Sequence, residues 1–583
     1  MNKHLIHFIF LLLILPSYGQ ETFTYIGRVV EGGSQQPLKG VVASIASLGI
    51  TDTTNDEGIF QFNGLAKGRQ ELRLTLTGYR ILHETITIDG RARYLHHFFL
   101  EILRFTLPEP IQIEASRNLD IQSPNTDVYT YDQHIFERAS RSSAESLIGA
   151  HGVFVQKTNH GGGSPFIRGL TGNQTLLMID GIRLNNATYR YGPNQYLNTI
   201  DPFTIDQIEV SRGSGSVAYG SDALGGVIHF HTQEPEFSPH HLQISTQGIL
   251  KYGGAFEGGE RYDMERTARA KFQMATPRVA TILGVSYKDF GDLVAGEGLG
   301  PQTPSAYQEL DIDFKSKFNL NKHQFTFAWQ QVTQDSVGRY DQVTQLQAYD
   351  LYQFDPQVRN LIYMRYRLQV DKPWLQTLTV TPAFQRSTEE RDKIRKGALI
   401  QTQERDEIQT QSFSVEATAR PRTSWTIRSG VEAYYDQVFS ELIAINDQGD
   451  STLMRGLYPD GSSMWNIGIF TLHKYAFQKW QWEGGLRYNR VMIAAFDPLF
   501  GNLSIQPEAI VGHLRARYTL SENQFLFLSF NTGFRAPNIN DLTSFGSFDF
   551  GIEVPNDNLN PERTTTGELG YKLSKKKIQL SVN

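Results

Sequence analysis

From residue 236 to 583, apolar and polar residues alternate with a period of two, run after run. Ile362, Met364, Tyr366, Leu368 and Val370 share one face, and Tyr363, Arg365, Arg367 and Gln369 the other. Trp482, Gly484, Leu486 and Tyr488 oppose Glu483, Gly485, Arg487 and Asn489; Leu514, Ala516, Tyr518 and Leu520 oppose Arg515, Arg517 and Thr519; Val279, Thr281, Leu283, Val285 and Tyr287 form another such face. That period belongs to a strand covered on one face. A soluble sandwich would turn the apolar face to a core and the charges to water. A transmembrane barrel would turn the apolar face to lipid and the arginines into a wet lumen. One strand fits either. The number of runs separates them, together with charged stretches such as 387–409, which is expected to project into solvent as a loop. Trp374, Trp425, Trp465, Trp480 and Trp482 near strand ends suit an interfacial belt, a feature shared with cross-strand pairs in soluble sheets.

Composition narrows the classes further. Charged residues are 20% of the chain and the net charge is -6, so no basic domain points to nucleic acid. Cysteine is absent, which excludes disulfides, thiolate metal sites and cysteine nucleophiles. Residues 1–19 read as an export signal: Lys3, an apolar run from Leu5 to Leu15, the break at Pro16, and small residues Ser17 and Gly19 before Gln20. No later stretch reaches the roughly 18 apolar residues of a spanning helix. A membrane span would have to be built from strands, since only helices and closed sheets satisfy their backbone in lipid.

Three regions follow the signal. Residues 23–107 hold short strands, expected over 25–30, 41–45, 59–62, 71–77 and 81–88, punctuated by glycines and by the turn Asn55-Asp56-Glu57-Gly58. His96-His97 is expected as a surface or packed pair in a connecting segment. Residues 108–117 form a linker: Leu107-Pro108-Glu109-Pro110 breaks structure, and Ile111-Gln112-Ile113-Glu114-Ala115 alternates and suits addition to an exposed sheet edge or pairing within the chain. Residues 118–235 form a second compact unit. A short helix is expected over 142–149 and strands over 153–157, 166–168, 175–179, 207–210 and 226–231, with Asp180-Gly181 as a hairpin turn. No Ser-His-Asp set, paired carboxylates or metal-ligand set stands out, so no enzyme is expected.

Particular blocks of residues carry resemblances. Gly27-Arg28-Val29-Val30, Pro37-Leu38-Lys39-Gly40, Asp56-Glu57-Gly58-Ile59-Phe60 and Leu76-Thr77-Gly78-Tyr79 resemble the carboxypeptidase-regulatory-like domain, a transthyretin-like β-sandwich. Phe166-Ile167-Arg168-Gly169, the run 177–184 with Asp180, Gly181 and Arg183, the run 208–213 with Glu209, Arg212 and Gly213, and the run 217–228 with Tyr219 and Gly220 closely resemble the plug of TonB-dependent receptors. Phe534-Arg535-Ala536-Pro537 and Asn558-Leu559-Asn560-Pro561-Glu562 are similar to paired signatures of the barrel in that family.

The resemblance implies an all-β transmembrane barrel of the 22-stranded type over residues 236–583. It holds an internal α+β plug and follows an N-terminal transthyretin-like sandwich, an arrangement found in Bacteroidetes-type receptors. The alternation supplies about fourteen to sixteen strands at roughly ten residues each, so the barrel is expected to be C-terminally incomplete. Function by resemblance is TonB-dependent import across the outer membrane, without a cofactor, with TonB, outer-membrane lipid and a scarce ligand as partners and no nucleic acid. An iron–siderophore complex is the first expectation; haem or haemoglobin, cobalamin and an oligosaccharide are alternatives, and a passive porin or adhesin a more remote one. Residues 111–115 stand where such receptors carry the TonB box. His160, Tyr189, Arg190, Tyr191 and Tyr196 are candidate ligand contacts, His160 being expected in a polar turn. Haem receptors carry a histidine between the two barrel signatures, whereas residues 538–557 hold none.

Overall fold

The structure, a computed structural model, describes residues 22–31, 36–76, 79, 82–90, 93–100, 126–130, 140–157, 160–192, 196–238, 242–257, 260–296, 298–548, 551–575 and 578–582. The chain forms two compact units, Met1–Ile111 and Gln112–Asn583. The expected export signal, the linker with residues 111–115, and the plug start before Thr126 lie outside the described residues.

The first unit contains β1 (Phe23–Glu31), β2 (Val42–Ile45), β3 (Ile50–Thr53), β4 (Ile59–Leu65), β5 (Gly68–Thr75), β6 (Leu82–Ile88) and β7 (Arg93–Leu100). They make two sheets, ordered β4-β1-β7 and β3-β2-β5-β6. Alternate residues of both enter one buried cluster: Tyr25, Val29, Phe60 and Phe98 from the first, Ala43, Ile45, Leu72, Leu74 and Ile86 from the second. Two strands, β3 and β7, were not expected. His96-His97 is therefore on a strand rather than a connection, and His96 stacks on Tyr25 at 5.5 Å.

In the second unit, the plug is built on β8 (Thr126–Thr130), β9 (Val153–Gln156), β10 (Ser164–Ile167), β11 (Thr175–Ile179), β12 (Ile182–Arg183), β13 (Ile205–Arg212) and β14 (Gly226–Thr232). Its main sheet runs β12-β11-β14-β13-β8. β11 and β14 are central and buried on both faces; β11, TLLMI, is correspondingly mostly apolar without strict alternation, whereas β14, GVIHFHT, alternates Ile228 and Phe230 with the buried His229 and His231. The helix expected over 142–149 is only a 3-10 turn, Glu145–Leu147.

Beyond residue 242 the strands pair in sequence order as one antiparallel sheet of eighteen strand segments. The longest, Tyr349–Lys372, has 24 residues. Tight turns near 321, 373, 423, 478 and 522 join strands at one end, and long connections, 291–306, 336–348, 446–461 and 536–561, join them at the other. Among the described residues the first strand, Gln243–Glu257, and the last, Ile578–Val582, do not pair with each other. The faces follow the alternation: Ile362, Met364, Trp482, Leu486 and Leu514 are exposed outward, while Tyr363, Glu483, Arg487 and Asn489 are buried against the plug side. No described helix is long and apolar enough to cross a membrane.

The stretch 387–409 corrects an expectation. It is not a loop but the upper part of two paired strands, Leu375–Arg395 and Gln401–Arg422. Its charges meet across the ladder: Arg391 reaches Glu404 at 3.3 Å, Lys393 reaches Glu404 at 2.7 Å, and Arg405 reaches Glu390 at 3.1 Å. Opposite charges facing across strands support pairing without an apolar face, so alternation disappears while the strand continues.

A candidate plug–barrel coupling site

Asp180 is the main tie between plug and wall. β11 ends in the two-residue turn Asp180-Gly181, whose φ angles of 48° and 84° are those of a tight hairpin favouring Asp-Gly. The turn aims the Asp180 carboxylate at the lumen wall. It accepts from the Thr232 N–H at 2.8 Å and the Thr232 hydroxyl at 2.6 Å, and from the wall it accepts Lys315 Nζ at 3.2 Å and the Tyr363 hydroxyl at 2.9 Å. Arg365 donates to the Asp180 carbonyl. Lys315 also bonds Glu234 at 2.8 Å. Burial alone would raise the Asp180 carboxyl, but Lys315, Thr232 and Arg365 outweigh it and hold it well below the usual carboxylate range.

Asp201 makes a second tie, one that the sequence analysis did not single out. It caps the turn Pro202–Thr204 by accepting the Phe203 N–H at 3.1 Å, an Asp-Pro start whose chemistry was the available signal. With 2% exposure it also accepts from Arg269 (3.0 Å), the Ser286 hydroxyl (2.7 Å) and Lys288 (2.9 Å) on the wall. Burial pushes this carboxyl up, and Lys288 and Arg269 bring it below its ordinary value.

The family-like blocks of plug and barrel meet each other. A short helix α1 (Ser216–Tyr219) carries the plug block against the wall. The Phe534 N–H donates to Ser216 Oγ at 3.2 Å, and the Ala536 N–H to Ser221 Oγ at 3.0 Å. Arg535 joins the two barrel signatures by pairing with Glu562 and Asp541, each at 2.5 Å, and the plug's Gln174 donates to Glu562 at 2.8 Å. Arg168 pairs with Glu568 on the wall. Inside the plug, Arg183 bonds Asp222 at 2.6 Å and the Tyr219 carbonyl at 3.2 Å, and the Gly213 N–H bonds the Gly225 carbonyl at 2.8 Å. Gly220 lies at φ 90°, and a Cβ there would stand 2.8 Å from the Arg487 guanidinium, so glycine is required. Glu209 is buried beside His231, and Arg212 donates to the His151 carbonyl at 2.9 Å. Gly169, at φ 84°, completes the turn after β10. Asn558 and Asn560 are exposed, with Leu559 and Pro561 half-buried, in the approach to Glu562.

The candidate ligand contacts divide. Arg190 and Tyr196 line a cavity at the long-connection end together with Glu389, Asp406 and Tyr458. Arg190 bonds Glu389 at 3.1 Å. Tyr189 lines the same cavity, largely buried and stacked on Tyr196 at 3.8 Å, whereas Tyr191 is 71% exposed. His160 is elsewhere and is not in a solvated turn: 1% exposed, it packs against Phe290 (5.0 Å) and edge-on to Tyr307 (5.4 Å), with Arg141 3.3 Å from Nε2. Burial first, then Lys157 and Arg141, lower its pKa to about 3. The glycines around it concealed this, because Gly161 lets the chain approach Tyr307 and Val337 closely.

Comparison with known proteins agrees with this architecture. Residues 121–227 match the TonB-dependent Receptor Plug Domain, and residues 287–583 match the family TonB dependent receptor-like, beta-barrel. The chain belongs to the TonB-dependent receptors, a family of transporters rather than enzymes. It is 30% identical over 154 residues to the vitamin B12 transporter BtuB of Vibrio vulnificus (strain CMCP6), covering 23% of this chain and 25% of that protein. It is 25% identical over 138 residues to the rhizobactin receptor of Rhizobium meliloti (strain 1021), covering 23% of this chain and 18% of that protein. The matched stretches thus span a quarter or less of these relatives. Among solved structures, the copper transporter OprC superposes with a TM-score of 0.66 at 18% identity, over 78% of this chain and 69% of that one. The ferric citrate transporter FecA does so with a TM-score of 0.59 at 17% identity, over 77% and 67%. At these identities the likeness concerns the fold.

Proposed function

We propose that the protein actively imports a scarce ligand across the outer membrane, with energy delivered by TonB from the periplasmic side, and that the ligand is an iron–siderophore complex. The observation that carries this reading is a plug tied to the lumen wall through Asp180 and Asp201 beneath a cavity lined by Arg190 and Tyr196. Directional polar ties can exchange for water when the plug is pulled, which a continuous apolar seam could not do cheaply. Arg190, Tyr196 and Tyr458 offer cationic and aromatic contacts to an anionic, aromatic chelate. The long connections face the exterior in this reading, and Ile111, Gln112, Ile113, Glu114 and Ala115 form the TonB box. Residues 1–19 act as the export signal. Residues 23–107 are a carboxypeptidase-regulatory-like domain of the Bacteroidetes-type receptors, and 118–235 are the plug. A deletion strain supplied with single sources of ferric siderophore, haem, cobalamin or glycan tests the assignment. Loss of growth on a ferric siderophore, restored by the gene only when TonB is present, is expected. Loss on cobalamin alone would overturn the ligand, and rescue without TonB would overturn active import.

A further inference from the structure

Three side chains converge on the plug sheet that the transport reading leaves unused. His229 and His231 are two residues apart on β14 and so project from one face; the register sets Glu209 of β13 opposite His229. All three are buried, and one ligand atom from each lies within 4.8 Å of the others. The two imidazole rings are 3.9 Å apart. His231 Nε2 stands 3.5 Å from a Glu209 carboxylate oxygen. A charge-assisted hydrogen bond would draw them to about 2.7–2.9 Å. Two ligands on a tetrahedral ion, with bonds of about 2.0–2.1 Å, stand roughly 3.4 Å apart.

We propose that Glu209, His229 and His231 form a site for a borderline divalent cation of the zinc class. Two imidazoles and one carboxylate suit such an ion. A carboxylate buried in a sheet interior costs least when a cation lies beside it. Paired strands fix the three donors, so little chain order need be gained on binding. One contact must give way. The Gly181 N–H donates to His229 Nε2 at 2.7 Å, which puts the ring proton on Nδ1. An ion bound through Nδ1 moves that proton to Nε2, and the Gly181 N–H loses its acceptor. Gly181 follows Asp180, so ion occupancy is linked to the turn that ties plug to wall.

The test uses the purified full chain in detergent, stripped with a chelator and then titrated with Zn2+ or Co2+. About one tightly held zinc per chain and the intense visible absorption of tetrahedral Co2+ are expected. Glu209→Gln, His229→Gln and His231→Gln should each weaken zinc binding by more than the roughly 10-fold that even an outer partner is worth. Amide exchange in the 175–183 hairpin should quicken on zinc binding. Zinc not retained, or retained equally by all three variants as on the exposed pair His96-His97, would overturn the site, as would unchanged hairpin exchange. If the variants fail to assemble, the wild-type Co2+ spectrum decides: an octahedral spectrum rejects the proposal.

Discussion

At the scale of single residues, charge location decides the behaviour of the plug. Asp180 is the sharpest case, because its carboxylate answers Thr232, Lys315 and Tyr363 at once. Asp180→Asn keeps the size but removes the charge from beside Lys315, which then keeps Glu234 as its carboxylate partner, with Thr232 as a neutral acceptor. Breaking a buried pair on one side costs on the order of 3 kcal/mol. The plug should become trypsin-sensitive in the purified protein at lower urea than wild type, while the wall remains folded; unchanged sensitivity would show that Asp180 is not an anchor. His160 gives a pH prediction. Its pKa falls from 6.5 to about 3, so between those values the unfolded state binds a proton that the folded state does not. Stability therefore falls as pH falls through that window, by up to about 1.4 kcal/mol per unit. His160→Gln cannot titrate and should flatten the thermal-midpoint profile between pH 6.5 and about 3.

At the scale of elements, the donated strand is the decisive test of energy coupling. Pro108 and Pro110 precede Ile111, and each removes a backbone donor. If 111–115 adds to an outside sheet edge, main-chain hydrogen bonds carry the affinity. Ile113→Pro should then abolish accumulation of labelled ferric siderophore in whole cells while surface binding persists, and Ile113→Ala should be milder. Uptake that survives the proline would count against coupling through this segment. Legibility at this scale followed the physics of each element. β11 was readable to its ends, because Thr175 opens the apolar run Leu176–Ile179, which is closed by an Asp-Gly turn. The outward faces of Val279–Phe290 and Trp480–Asp497 were readable because lipid or solvent on one side and a polar lumen on the other enforce alternation. The hairpin over 387–409 was not, since its strands are held by cross-strand ion pairs that leave no periodicity. Asp201 was missed, and His160 was named but expected in a polar turn rather than buried, for a related reason: their partners Arg269, Lys288, Phe290 and Tyr307 lie far along the chain, and no local pattern announces such a meeting.

At the scale of the whole molecule, the question is which face of the large sheet meets lipid. Arg365, Arg367, Arg515 and Arg517 alternate with Met364, Tyr366, Leu514 and Ala516. Arg365 donates to the Asp180 carbonyl, Arg517 donates to Gln481 at 2.7 Å, and Arg515 lies 3.9 Å from Glu483, all on the plug side. Met364 and Leu514 point the other way, 44% and 54% exposed. An arginine turned to lipid at mid-membrane would cost about 2–4 kcal/mol, so a one-residue slip of these strands is strongly disfavoured. The chain has no cysteine, so single cysteines report cleanly. In membranes, Arg367→Cys and Arg517→Cys should react with a charged, membrane-impermeant maleimide, and Met364→Cys and Leu514→Cys only with a bilayer-soluble one. Arg365→Cys should react with the charged reagent slowly while the plug is seated, and faster in the Asp180→Asn background, because Asp180 covers it. Charged-reagent labelling at Met364 and Leu514, with none at Arg367 and Arg517, would invert the sheet and with it the assignment of a wet, plugged lumen. Equal labelling of both faces would place the sheet in water and return it to a soluble fold.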